Sequence, residues 1–179
     1  MKLSDSGLSG MDEDSTIKAM LAADDVIWRP HVTVATVVPR DGRFLLVEED
    51  VRGRLVLNQP AGHLDPDEPL QVAAVRETLE ETGWDIELDC LLCVQQWQNA
   101  ESGRQFVRFT FAGVPIRHHA SRALDDGIVR ALWLSRDEIA AESARLRSPM
   151  VLTSVDDWLA GHRLPLDAIR WLSSETASA

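Results

Sequence analysis

Three glutamates, Glu77, Glu80 and Glu81, crowd the run RETLEETG at residues 76–83, with Arg76 in front and Gly83 behind. In a helix advancing about 100° per residue from Glu77, Glu81 falls at about 40° and Glu80 at about −60°, so all three share one face. Leu70, Ala73 and Ala74 continue that face backwards, at about 20°, −40° and 60°. A face that begins with leucine and two alanines packs against protein, so the acids are expected to line a cleft at the border of the core. Like charges gathered there resist ionisation unless a cation compensates them. Carboxylates at i, i+3 and i+4 suit hard divalent ions, Mg²⁺ or Mn²⁺, which bind phosphate oxygens and activate water. Helix geometry alone leaves a second reading open, a solvated face on which Arg76 and Glu80 pair at i,i+4.

The elements that must position this helix are legible in outline. Asp67 is placed as the N-cap, Pro69 in the first turn and Gly83 as the stop. Ahead of it, HVTVATVVP (31–39) and RFLLVEE (43–49) read as strands joined by a turn, and RGRLVLNQPAG ends a third at Pro60 and Gly62. Behind it, 84–97 and 104–115 read as two long strands and 128–135 as another. RDEIAAESARL and MVLTSVDDWLAG read as helices, the latter stopped by Gly161. Strands and helices are intermixed, so the fold class is α/β, with a central mixed sheet flanked by helices. One domain is expected over 29–172, with a loose or partly helical extension at 1–28 and a flexible tail at 173–179.

The chain carries 18 basic and 29 acidic residues, a net charge of −11. A broad grip on nucleic acid needs a basic face, so nucleic acid is not the expected partner, whereas a small anionic substrate is compatible with a metal and a few local arginines. Cys90 and Cys93, the only cysteines, lie in a strand, where positions three apart face opposite ways. They are read as two reduced thiols rather than a metal or redox pair, in keeping with a cytoplasmic protein. Neither a membrane span nor a signal sequence is evident. A monomer or a homodimer is expected.

Residues 62–84, GHLDPDEPLQVAAVRETLEETGW, resemble the signature of the Nudix hydrolases. That pattern is Gly, five residues, Glu, seven residues, Arg-Glu, an apolar residue, any residue, Glu-Glu, any residue, Gly and an apolar residue. Gly62, Glu68, Arg76, Glu77, Glu80, Glu81, Gly83 and Trp84 fall into it, and Thr78 departs from it at an apolar position. HVTVA, NQPAGHLD, the RF of FVRFTF, and LRSP are similar to one phosphatase branch of the family, over about residues 30–170.

The resemblance implies an α/β/α sandwich and hydrolysis of phosphoanhydride bonds in nucleoside di- and triphosphates with Mg²⁺ or Mn²⁺. In that branch it also implies action on the diphosphate of a thiamine-precursor pyrimidine. It makes Glu77, Glu80 and Glu81 metal ligands, with a backbone carbonyl of Ala61 or Gly62, and makes Glu68 the partner of Arg76. The base that takes the water's proton stays open between Glu77, Glu80 and the pair Asp125 and Asp126, with Asp126 the loop candidate. Arg54, Arg104, Arg108, His63, Gln59 and Trp97 are candidate substrate contacts, each with a structural alternative. A ligand sensor without turnover and an RNA 5′-end pyrophosphohydrolase are the other readings.

Val72, Val75 and Leu79 fall opposite the acids, at about 220°, 160° and 200°. Something is expected to cover this back: the helix near Met150–Trp158, the N-terminal segment or a partner subunit.

Overall fold

The computed structural model describes residues 28–172. Its elements are β1 (His31–Val37), β2 (Pro39–Arg40), β3 (Arg43–Val51), β4 (Arg54–Asn58), β5 (Ala61–His63), α1 (Leu70–Thr82), β6 (Trp84–Gln98), β7 (Gln105–His118), β8 (Ile128–Ser135), α2 (Arg136–Ala141) and α3 (Met150–Leu159). The expected extension at 1–28 and tail at 173–179 lie almost wholly outside the described residues.

The strands divide between two sheets. One is mixed, in the order β5-β1-β7-β6, with β1 parallel to β7 and antiparallel to β5. The other is antiparallel and holds β2, β3 and β4, with β8 on the other side of β3. The α/β expectation holds, and the division into two sheets is what single-strand patterns did not reveal. Arg52 and Gly53, at φ 56 and 81, make the tight β3–β4 turn, whose left-handed pair matches the twist of the strands. That turn sets Glu49 opposite Val56 and Val47 opposite Asn58.

Apolar faces hold the layers together. Val37, Phe44, Leu46, Leu92, Ile139, Val151 and Val155 form a buried cluster that includes residues of α2 and α3. Under α1, Ala73 and Ala74 pack on Val34, Leu91 and Phe111. The two alanines let the helix backbone come close to the sheet, which brings the acids one and two turns later to the edge of the core.

Several local expectations need correction. Asp67 does not cap α1. It takes a left-handed conformation, φ 59, inside the preceding loop, and Pro69 occupies the cap position without a side-chain bond. Gly83 ends the helix as expected, at φ 70, with its N–H donating to Leu79 O at 2.9 Å. Thr78, the departure from the apolar pattern, is buried and satisfied: its Oγ1 donates to Ala74 O at 2.7 Å and lies 2.7 Å from Thr36 Oγ1. The helix at Met150–Leu159 does not cover the back of α1. It packs on β6 and α2, while Val75 joins Val38, Leu45 and Ile86, and Val72 is 54% exposed.

Candidate active site

The buried positions of α1 are Ala73, Ala74, Glu77, Thr78, Glu81 and Thr82. Of the three acids, Glu77 and Glu81 therefore border the core, while Glu80 is only half-buried. Two of them meet the strand that enters the helix. Glu81 Oε2 accepts from the Ala61 amide at 2.8 Å. Gly62 lies so near Glu77 that a methyl group on its Cα would overlap that carboxylate.

Arg76 ties the rest together. Its Nε and Nη2 donate to the two oxygens of Glu68, each at 2.8 Å, and its Nη1 donates to Glu77 Oε1 at 2.8 Å and Glu80 Oε2 at 3.1 Å. Glu68 thereby fastens the 63–69 loop to the helix. With Glu77 and Glu80 turned to Arg76 and Glu81 to the Ala61 amide, no three Asp, Glu, His or Cys side chains converge on one point among the described residues.

The electrostatics of these acids differ in cause. Burial pushes the Glu81 carboxyl up to about 8, and the charges of Glu49, Glu77 and Asp125 push in the same direction. Burial also raises Glu77, although Arg76 opposes it. The Arg76 bond holds Glu68 below its ordinary value. A set of hard oxygen donors with excess negative charge, partly desolvated and set against the Ala61–Gly62 backbone, fits a divalent cation. The tight seat of Glu77 against Gly62 fits the same reading, since it fixes one donor beside the Ala61–Gly62 backbone.

A cleft of about 1040 Å³ opens at the Ala61–Gly62 backbone that Glu77 and Glu81 contact; the three glutamates themselves do not line it. Of the expected substrate contacts, Arg54, Arg104, Arg108, His63 and Trp97 line it. Trp97 stacks on Phe106 at 5.6 Å, and Phe106 on His31 at 5.1 Å, which makes a flat aromatic wall. His63 reaches toward His31, Nε2 to Nδ1 at 3.3 Å, and burial, with the charges of His31 and Arg104, lowers its pKa. Arg108 is buried, donating to Asn58 Oδ1 at 3.1 Å and Gln59 Oε1 at 3.4 Å, and desolvation lowers it to about 10.

Two candidates sit elsewhere. Gln59 is fully buried and its amide is committed, donating to Val151 O at 2.6 Å and accepting from Arg108. It orients Arg108 and does not face the cleft. Asp126 is exposed, and no hydrogen bond ties it to the helix acids among the described residues. Its neighbour Asp125 donates its N–H to Glu80 O at 3.0 Å and its charge reaches Glu77 and Glu81.

Sequence reasoning missed Glu49, Ser148 and Arg147, which also line the cleft. Strand alternation separates Glu49 from Glu48, which pairs with Arg130 and Arg145 instead. No local pattern distinguishes Ser148 from a turn residue.

A NUDIX domain model matches residues 28–153, most of the chain. The chain belongs to the NUDIX family. The phosphatase NudJ of Escherichia coli K12 is 41% identical over 143 residues, which span 80% of this chain and 92% of that protein. The Shigella flexneri NudJ matches to the same extent. A Nudix hydrolase structure from Nitrosomonas europaea superposes with TM-score 0.79 at 46% identity, covering 80% of this chain and 98% of that one. A UDP-X diphosphatase, at TM-score 0.62 and 18% identity over 87% of this chain and 74% of its own, shares the fold. As a Nudix hydrolase this chain is an enzyme of phosphoanhydride substrates, with the α/β/α sandwich of its relatives. Cys90 and Cys93 are free thiols, both raised by burial, Cys93 to about 11. No helix among the described residues is long and apolar enough to cross a membrane.

Proposed function

We propose that this Nudix hydrolase cleaves nucleoside di- and triphosphates, and the diphosphate of a thiamine-precursor pyrimidine, with Mg²⁺ or Mn²⁺ as cofactor. The observation that carries this reading is the position of Glu77 and Glu81, buried on α1 and in contact with the Ala61–Gly62 backbone, which lines the cleft.

Glu77, Glu80 and Glu81 would hold the metal with a carbonyl of Ala61 or Gly62, after Glu77 and Glu80 turn away from Arg76. When bound, the ion supplies charge neutralisation at the phosphate oxygens and a more acidic water. The chain's own residues do the rest. Arg76 and Glu68 keep the loop and helix in register, and Arg54, Arg104 and Arg108 offer cations to the phosphates. Trp97 and Phe106 offer a face to a ring. Proton removal from water is assigned to Glu80, whose side chain is 35% exposed against 11% for Glu77. The Asp125 loop is bound to the Glu80 carbonyl. The similarity to NudJ, a phosphatase, supports release of orthophosphate.

Phosphate release from a panel of nucleotides, with and without Mg²⁺, tests the proposal, with Glu81→Gln alongside. Metal-dependent turnover that falls by at least about 100-fold in the variant is expected. Nucleotide binding without turnover would make the protein a sensor, and turnover confined to RNA 5′ ends would make it an RNA enzyme.

A further inference from the structure

The last carbonyl groups of α1 need donors from outside the helix. Gly83 N–H serves Leu79 O at 2.9 Å. The next amide, Trp84 N–H, turns to Thr82 Oγ1 at 3.2 Å, so it does not serve Glu80 O. The segment 119–127, which joins β7 to β8, does so instead. Asp125 N–H donates to Glu80 O at 3.0 Å, and His119 N–H donates to Gly83 O at 2.8 Å.

Both ends of this segment are held. At the β7 end, His119 Nε2 lies 2.8 Å from Asp85 Oδ2, which also accepts from Arg117 Nε at 3.0 Å. The Arg122 amide turns back to His119 O at 2.9 Å. At the β8 end, Ile128 N–H donates to Asp125 O at 3.1 Å, and the Asp50 amide of β3 donates to Gly127 O at 2.8 Å. Gly127 has φ 87, and the nearest atom to an added Cβ would be Asp50 O at 3.9 Å. Its requirement is therefore one of backbone conformation and not of space.

The bonds to Glu80 O and Gly83 O bracket Glu81, so the segment fixes the backbone from which Glu80 and Glu81 project. Asp125 also carries a negative charge within reach of Glu77 and Glu81. Closure over unneutralised acids is opposed by that charge, and a divalent ion removes the opposition. Ion and segment then stabilise one another, since such linkage is reciprocal. The His119–Asp85 pair is partly exposed, 35% and 31%, so it adds little to global stability, and its effect falls on this one segment.

We propose that residues 119–127 form a positioning strap for the last turn of α1, latched by His119 on Asp85 and by Gly127 on Asp50, and that closure of the strap is coupled to uptake of the divalent ion. This rests on the hydrolase reading, in which Glu80 and Glu81 hold the ion. His119 and Gly127 are positioning residues that act through Glu80 and Glu81.

His119→Ala and Gly127→Ala open opposite ends of the strap. Hydrogen exchange of the full chain over 76–84 and 119–127, Mn²⁺ calorimetry and steady-state phosphate release compare them with the wild type. Each variant should speed exchange in both segments by about tenfold or more and weaken Mn²⁺ binding by about fivefold or more. Each should lower kcat by about tenfold while KM stays within about twofold. The double variant should be no worse than the more severe single one, because a strap freed at one end is already free. His119→Gln, which keeps a donor for Asp85, should recover most of the loss. Mn²⁺ added to the wild type should slow exchange over 119–127. Additive losses in the double variant would overturn the single strap. Faster exchange with unchanged Mn²⁺ affinity and kcat would overturn the positioning role and leave a structural brace. Mn²⁺ uptake that leaves exchange over 119–127 unchanged would overturn the coupling. A wild type that takes up no Mn²⁺ and releases no phosphate would overturn the hydrolase reading and this proposal with it, whereas the preceding outcomes fall on the strap alone.

Discussion

Arg76 grips Glu68 along both edges of its carboxylate, Nε to Oε1 and Nη2 to Oε2, each at 2.8 Å. Its remaining nitrogen serves Glu77 and Glu80. One planar guanidinium thus fastens the loop and balances two acids, a task that a lysine ammonium, as a point charge, does not reproduce. Arg76→Lys is expected to cost about 1–3 kcal/mol in urea unfolding and about 10- to 100-fold in kcat/KM for phosphate release.

The Glu68 pair also has a pH signature. Arg76 lowers the folded pKa of Glu68 below 4.5. The pair's stabilisation is therefore present above the unfolded carboxylate value and lost as pH falls through the folded one. Wild-type protein should lose stability on acidification below about pH 4.5 more steeply than Glu68→Gln, as thermal unfolding at a series of pH values would report.

Glu81 has the opposite sign. Its folded pKa of about 8 lies above the unfolded value of 4.5. The contribution is present below the unfolded value and is lost as pH rises through about 8, because the folded state must give up a proton that it holds more tightly. Metal-free wild type should melt lower at pH 9 than at pH 6, and Glu81→Gln should exceed it at pH 9 by roughly 5–10 °C while matching it near pH 4.

Arg108 is buried and costly to desolvate. Its replacement by Met removes that desolvation cost but leaves the buried oxygens of Asn58 and Gln59 without their donor, so stability should fall by about 1–3 kcal/mol. The same variant should raise KM and lower kcat/KM by about 10- to 100-fold, in steady-state phosphate release. A large loss of stability with unchanged kinetics would make Arg108 a structural residue.

The parts of this molecule set by local rules were legible in the sequence. The inward face of α1 follows from Leu70, Ala73 and Ala74 at helical spacing, and Gly83 marks its end through a left-handed conformation. What depends on distant pairing was not legible. Gln59 reads as a loop amide until the fold brings Val151 O within 2.6 Å. Glu49 reads like Glu48 until β8 and the Ser143–Arg145 turn supply Arg130 and Arg145 to one of them and leave the other facing the cleft. Asp67 reads as a cap because residue type alone does not reveal its positive φ.

Gly62 tests the seat of Glu77. In Gly62→Ala the new methyl group would displace the Glu77 carboxylate. Mn²⁺ affinity should fall by about tenfold or more while urea unfolding shifts by no more than about 1–3 kcal/mol.

The account depends most on inward-facing acids that take up a divalent ion. Mn²⁺ titration of the full chain by calorimetry and by water-proton relaxation, repeated on Glu77→Gln, Glu80→Gln and Glu81→Gln, measures this directly. Saturable uptake in the wild type, weakened by about tenfold or more in each variant and strengthened by nucleotide, is the predicted result. No uptake with or without nucleotide, or uptake that all three substitutions leave intact, would contradict it.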